Sequence, residues 1–399
     1  MPTISNRGLK MPPSPIRKLT PYADQARNNG IRIYHLNIGQ PDIATPEVAL
    51  DAVRNTHFDV LAYSHSEGIE SYREKLTTYY ADNDIEVNPS EIIVTTGGSE
   101  AILFAMLSGL DTGDEIIIPE PFYANYNGFA NAAQVHIKTV TSSINAAYAL
   151  PAPEAIEACI GPRTRAILIC NPNNPTGYLY TRQELEQLQA LCKKHDLFLF
   201  SDEAYREFCY EGQHISALQL KGLEEHAVVL DTISKRYSAC GARIGALVTK
   251  NKNLLAAVLK FAQARLSPPT FAQILAEAAI DVPRQYFTDV RAQYQERRDI
   301  LVGRLQKMKG VTCPLPRGAF YAMAALPVDD ADTFCQWLLE DFSHNGATVM
   351  LAPGTGFYAS PALGKQEVRL AYVLNKTELN AALDCLEEAL KRYPGRTIN

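Results

Sequence analysis

Long apolar runs are missing from this chain. No stretch of about 18 consecutive apolar residues occurs in its 399 positions. The opening MPTISNRGLKMPPSPIRKL has no apolar core of the kind a secretory leader carries. Basic runs interleaved with aromatics are also missing, and the formal net charge is −6, which argues against nucleic acid or an anionic membrane as the main partner. Eight cysteines are present, at 159, 170, 192, 209, 240, 313, 335 and 385, but none forms a CxxC pair or a His-Cys set with metal-ligand spacing. They read as reduced thiols in or near the core, with no metal site, in a soluble protein of the cytoplasm. No GxGxxG follows a strand-like run and no GxxxxGK[ST] occurs, so neither a dinucleotide nor a nucleoside triphosphate is supported. Internal repeats and low-complexity segments are absent as well.

What is present is a globular composition, 46% hydrophobic and 21% charged, in a chain long enough for a large core or two domains. The first forty residues, rich in Pro, Asn and Gly, read as an irregular arm. Helical patterns fit 46–55 and 68–82. Seven short, near-continuously apolar runs follow: IIVTT (92–96), EIIIP (115–119), VHIKTV (135–140), RAILIC (165–170), LFLFS (197–201), AVVLD (227–231) and IGALVT (244–249). Such runs suit strands buried on both faces. Helical stretches lie between several of them, including 99–110 and 181–195, the second opening with the capping-box pair Thr181 and Glu184. The alternation predicts an α/β layer with a mainly parallel, seven-stranded sheet. A long charged helix over 284–308 leads to a smaller α+β region, with strands in 311–326 and 346–373 and helices over 329–344 and 376–392. The expected division is an N-terminal arm with part of the small domain (1–45), a large domain (46–283) and a small C-terminal domain (284–399).

Ligands of open α/β sheets bind beyond the carboxyl ends of the strands, so the residues that follow each run matter most. GGSEAI (97–102) opens a helix with two glycines and a serine, which suits a phosphate or simply makes a tight turn. PFYANY places Tyr123 to stack on a flat ring, or merely to pack. NPNNPTG (171–177) makes a rigid loop that presents Asn174. DEAYRE puts Asp202 at the end of an apolar strand, where a carboxylate needs a cationic partner. TISK puts Lys235 at the same edge. A phosphate cradle, a stacking ring, an amide, a buried acid and a lysine together fit one small flat cofactor with a phosphate, a ring nitrogen and an aldehyde: pyridoxal 5'-phosphate.

These motifs, with IGQPD (38–42), Tyr63 and, further on, SKRYSACGARIG (234–245), RGAFYAM (317–323) and EVRLAY (367–372), resemble the class I/II aminotransferases, the aspartate-aminotransferase-like enzymes of fold type I, over about residues 10–393. The resemblance implies a role for each matching residue. Lys235 anchors the cofactor covalently and acts as base. Thr232, Ser234, Arg243 and the Gly98–Ser99 helix start hold its phosphate. Tyr123 stacks on the ring, Asp202 pairs with the ring N–H, and Asn174 and Tyr205 donate to the phenolic oxygen. Arg369 grips the substrate α-carboxylate beside Gly39 and Asn174. Tyr63 reaches the phosphate of a neighbouring subunit, which implies a homodimer with shared sites.

Aspartate as donor and 2-oxoglutarate as acceptor, in a ping-pong cycle, are the expected substrates. One branch of the family holds the distal carboxylate with a lysine directly after the paired glycines; here that position is Ser99. Arg265 could serve a distal carboxylate or be structural. Alanine and aromatic amino acids stay open. A pyridoxal-phosphate C–S β-lyase and a non-catalytic regulator are the alternatives. The second is disfavoured by the retained Lys235 and Asp202 and by the lack of an added DNA-binding segment before residue 35.

Overall fold

The computed structural model describes residues 2–398. All seven apolar runs are strands of one sheet, in the order Ile92–Thr95, Gly245–Val248, Ala227–Thr232, Phe198–Asp202, Thr164–Cys170, Glu115–Glu120, His136–Thr141. Every pairing is parallel except the two made by Gly245–Val248. The period-2 geometry of a strand sends successive side chains to opposite faces. Ile93, Ile116, Leu168, Phe200 and Val228 accordingly join one buried cluster, and Ile92, Ile117, Ile167, Leu199 and Val229 the other. With helices over both faces, neither set of residues can be polar, which explains the unbroken apolar runs.

The antiparallel strand matters for function. The chain reaches the carboxyl edge of the sheet at Thr232, turns through residues 233–244, and re-enters the sheet at Gly245, directly opposite Thr232. Residues at both ends of that turn are therefore neighbours. Gly245 is required by close approach: a Cβ there would lie 2.5 Å from the Asp231 carbonyl oxygen and 2.6 Å from the Gly97 carbonyl carbon.

Beyond the helix Arg284–Leu305, a three-stranded antiparallel sheet orders Ala352–Pro353, Glu367–Ala371 and Tyr321–Ala325, flanked by the helices Ala331–Glu340 and Lys376–Arg392. The N-terminal region differs from the irregular arm expected. Thr20–Asn28 is a helix that carries Pro21 in its first turn and buries Ala23 and Ala26. Arg32–His35 is a strand that pairs in parallel with Ala347–Met350. A four-residue strand carries no periodicity to detect, and its partner lies at the far end of the chain. Two further helices that the pattern did not reveal, Lys252–Arg265 and Thr270–Ala279, follow the sheet. No helix among the described residues is long and apolar enough to cross a membrane, and they hold no cluster suited to a metal ion.

Candidate active site

The carboxyl ends of the strands border a cavity of about 490 Å³, the size range of small-ligand sites. Among the described residues four cations line it, Arg17, Lys235, Arg243 and Arg369, with Asp202 as the single carboxylate.

The phosphate-like end is built first by backbone. Gly97 caps the helix Gly98–Gly109 at φ 79°, in the left-handed region that glycine tolerates. A Cβ there would lie 2.4 Å from Nη2 of Arg243. The free N–H groups of a helix start thus face a guanidinium, an arrangement that attracts an anion. Ser99 lines the same corner. Across the sheet edge the hydroxyls of Thr232 and Ser234 lie 2.8 Å apart. Arg243 donates to Ser234 Oγ at 3.4 Å and to the Cys240 carbonyl at 2.9 Å, and forms an ion pair with no described residue.

Lys235 sits on the one-turn helix Ile233–Arg236 that begins at the end of its strand, capped by the Thr232 hydroxyl. Its Nζ donates to the Gly39 carbonyl at 3.0 Å and lies 3.6 Å from Cys240 Sγ. Gly39 is hemmed in from the other side, since a Cβ there would overlap the Tyr321 ring.

Asp202 ends its strand buried. It accepts from the Tyr126 hydroxyl at 2.8 Å and from the Ala204 N–H at 3.2 Å, and no cation of the described residues pairs with it. Burial, only partly offset by these two donors, lifts its carboxyl to about 6. A buried acid without a cation is costly, and a protonated ring nitrogen is the partner that would relieve it. Tyr123, half-buried nearby, has its phenol pushed up to about 12 by burial. Asn174 Nδ2 donates to the Tyr205 hydroxyl at 3.3 Å. Burial pushes the Tyr205 and Tyr126 phenols well up, so both keep their protons.

Arg369 is the largest fully buried side chain, 1% exposed. Nη1 donates to Asn174 Oδ1 at 3.0 Å and Nη2 to the Asn37 carbonyl at 2.6 Å, while buried Nε has no partner. The guanidinium lies between the rings of Tyr321 (4.5 Å) and Phe357 (4.8 Å). Burial pulls its pKa down, opposed only by phenols; no carboxylate faces it.

Twelve of the thirteen residues to which the resemblance gave a role, all but Tyr63, line this one cavity. Tyr63 is 79% exposed and borders a separate surface hollow with Ser64 and His65. Arg265 does not line the cavity: it donates to the Ser66 and Val94 carbonyls at 3.1 and 3.2 Å and lies 3.5 Å from Glu100. Within its own chain its role is structural. Tyr126, Tyr321 and Cys240 lie in stretches quoted from the sequence but were given no role there, and Arg17 was not singled out. Tyr126, three residues after Tyr123 at a helix start, offered the one usable signal; an isolated tyrosine or arginine otherwise reads as packing or surface.

The donor set therefore fits pyridoxal phosphate on the chain's own terms: an anion cradle, an unpaired buried acid and a lysine amine share one cavity. Comparison with known proteins agrees. The family model for aminotransferase class I and II matches residues 31–386. An aspartate aminotransferase of Bacillus subtilis is 31% identical, covering 98% of this chain and 97% of that protein. An aspartate/prephenate aminotransferase of Thermus thermophilus is 32% identical over 98% and 99%. The structure of a Thermus thermophilus aspartate aminotransferase with maleate superposes with a TM-score of 0.88 at 30% identity, covering 98% of this chain and all of that one. An alanine aminotransferase of Pyrococcus furiosus superposes at 0.89 with 29% identity, with the same coverage. The chain belongs to the class I and II aminotransferases and is a pyridoxal-phosphate-dependent transaminase of fold type I.

Proposed function

We propose that the protein moves an amino group from an L-amino acid, with aspartate the favoured donor, to 2-oxoglutarate in a ping-pong cycle. Arg369 carries this reading: a buried guanidinium that pairs with no acid among the described residues, in the same cavity as Lys235 and Asp202. It is held ready for a carboxylate, which it can take through two parallel hydrogen bonds. The names of the relatives above support aspartate.

Pyridoxal phosphate, when bound, supplies an electrophilic carbonyl carbon and a ring that takes up an electron pair. The residues around it divide the remaining work. Arg243, Thr232, Ser234 and the Gly98–Ser99 amides hold the phosphate. Asp202 accepts from the ring N–H and keeps it protonated by charge pairing, with Tyr126 fixing the carboxylate. Asn174 and Tyr205 donate to the phenolic oxygen, and Tyr123 covers the ring face. Lys235 Nζ anchors the cofactor and, once freed, takes and returns the substrate α-proton. Arg369, braced by Asn174 and the Asn37 carbonyl next to Gly39, fixes which bond to Cα is broken, an orientation effect.

In the same proposal the chain works as a homodimer, with Tyr63 reaching the partner's phosphate site. The apolar exposure of Phe58, Val60 and Leu61 next to Tyr63 supports a covered surface there. The domain division is that of residues 1–45, 46–283 and 284–399. Initial rates with aspartate and 2-oxoglutarate test the cycle. Parallel double-reciprocal lines with oxaloacetate and glutamate as products are expected. Intersecting lines, or pyruvate and ammonia released from a cysteine-type substrate without any 2-oxo acid, would contradict it.

A further inference from the structure

Three of the four cavity cations have an assignment in the reading above: Lys235 to the cofactor carbonyl, Arg243 to the phosphate and Arg369 to the α-carboxylate. Arg17 is left over. Arg17 is exposed and lines the cavity, and its side chain makes no hydrogen bond or ion pair with any described residue. Among the described residues Asp202 is the only carboxylate on the cavity wall, and it is held by Tyr126.

Arg17 does not sit on a loose tail. Its backbone N–H and that of Lys18 both donate to the Ser14 carbonyl at 3.1 Å, closing a turn. Lys18 forms an ion pair with Asp332, which also accepts from the Thr355 hydroxyl at 2.5 Å. Leu19 is buried in the core, and Pro15 lies against Gly356 so closely that a Cβ on that glycine would overlap its ring. Ile16 packs against the cluster that contains Phe357, the ring under Arg369. The turn is thus nailed down on both sides of Arg17. Ser14, Ile16 and Arg17 share the cavity wall with Ile38, Gly39 and Gln40.

We propose that Arg17 binds the distal carboxylate of the substrate, which makes the preferred substrates dicarboxylic amino acids and dicarboxylic 2-oxo acids. This rests on the amino-transfer reading of the site. It also accounts for the absence of a lysine at position 99 and for an Arg265 engaged within its own chain: the cation comes from the N-terminal turn.

The test is calorimetric titration of the holoenzyme with two non-reacting probes, succinate and butyrate, which differ in the distal carboxylate. Wild type should bind succinate more tightly. Arg17→Gln should weaken succinate roughly 10- to 100-fold, the weight of one charge-assisted interaction, and leave butyrate within about twofold. Arg17→Lys should recover part of the loss. An unchanged succinate-to-butyrate ratio in Arg17→Gln, or equal loss of both probes, overturns the proposal. Arg369→Lys separates the two readings. It should weaken both probes alike; if it changes neither, the amino-transfer reading of the site fails and the assignment of Arg17 falls with it.

Discussion

Buried arginines of this chain are treated in opposite ways: Arg206 and Arg236 on one side, Arg369 on the other. Arg206 and Arg236 are surrounded by acids. Arg206 donates to Glu203 at 2.8 Å and lies 3.5 Å from Asp231, and Arg236 pairs with the other oxygen of Asp231. Tyr80 donates to Asp231 at 2.7 Å, and Ser216 and the Ala217 N–H complete Glu203. Although burial pushes Asp231 up, Arg236 and Arg206 hold it at about 2. Arg369 is buried to the same degree yet faces carbonyls, an amide and rings. Asp202 is its counterpart, an acid lifted to about 6 by burial, with no cation among the described residues to offset it. The satisfied group is part of the fold. The unsatisfied group is complementary to a molecule that the chain must collect. A buried charge left without its partner costs several kcal/mol, so the site stores a demand for ligand that the network around Arg206 and Arg236 does not.

Substitutions can break or sharpen this contrast. Lys235→Ala should have the largest effect, abolishing turnover and the borohydride-fixed attachment of cofactor to the chain; attachment that persists would place the anchor elsewhere. Arg369→Gln should lower kcat/KM roughly 1,000-fold, since it removes one side of a buried charged hydrogen-bond pair formed only with substrate. Its thermal midpoint should hold or rise, because an unpaired buried charge has gone. A clear drop in midpoint would make Arg369 structural. Arg236→Met should do the reverse: about 3 kcal/mol lost from unfolding free energy, because Asp231 loses a cation in the interior, seen as a lower midpoint in urea.

The smallest effect concerns Asp202 and has a definite sign. Its folded value of about 6 lies above the ordinary 3.8, so the folded cofactor-free protein binds the proton more tightly than the unfolded chain. That contribution is complete below about pH 4 and is lost as pH rises through about 6, a decline of no more than about 3 kcal/mol. Asp202→Asn should flatten the decline in the cofactor-free protein. An unchanged slope would mean that another group carries it.

Much of this was legible in the sequence because the site is arranged along strand ends. Asn174, Asp202 and Lys235 each follow an apolar run, and a parallel sheet brings such ends to one edge. The turn from Thr232 to Arg243 reads as a two-point grip once Gly245 is seen to pair opposite Thr232. What escaped depends on distant pairing. Tyr321 reaches the Tyr205 hydroxyl, 3.0 Å away, through a strand paired with the one that carries Arg369. Arg32 lies opposite Ala347, and no local pattern records that register. Arg17 escaped because a lone arginine in a proline-rich stretch carries no pattern; the ion pair of Lys18 with Asp332 and the packing of Ile16 fix the turn that brings it to the cavity wall.

The central claim, that the unsatisfied charges serve amino-group transfer, is tested most directly by a single turnover without acceptor. Mixing the holoenzyme with excess aspartate and no 2-oxo acid should release one equivalent of oxaloacetate per active site and then stop, leaving the amino group on the enzyme. Continued release of a 2-oxo acid together with free ammonia, or no oxaloacetate from any amino acid offered, would contradict the account.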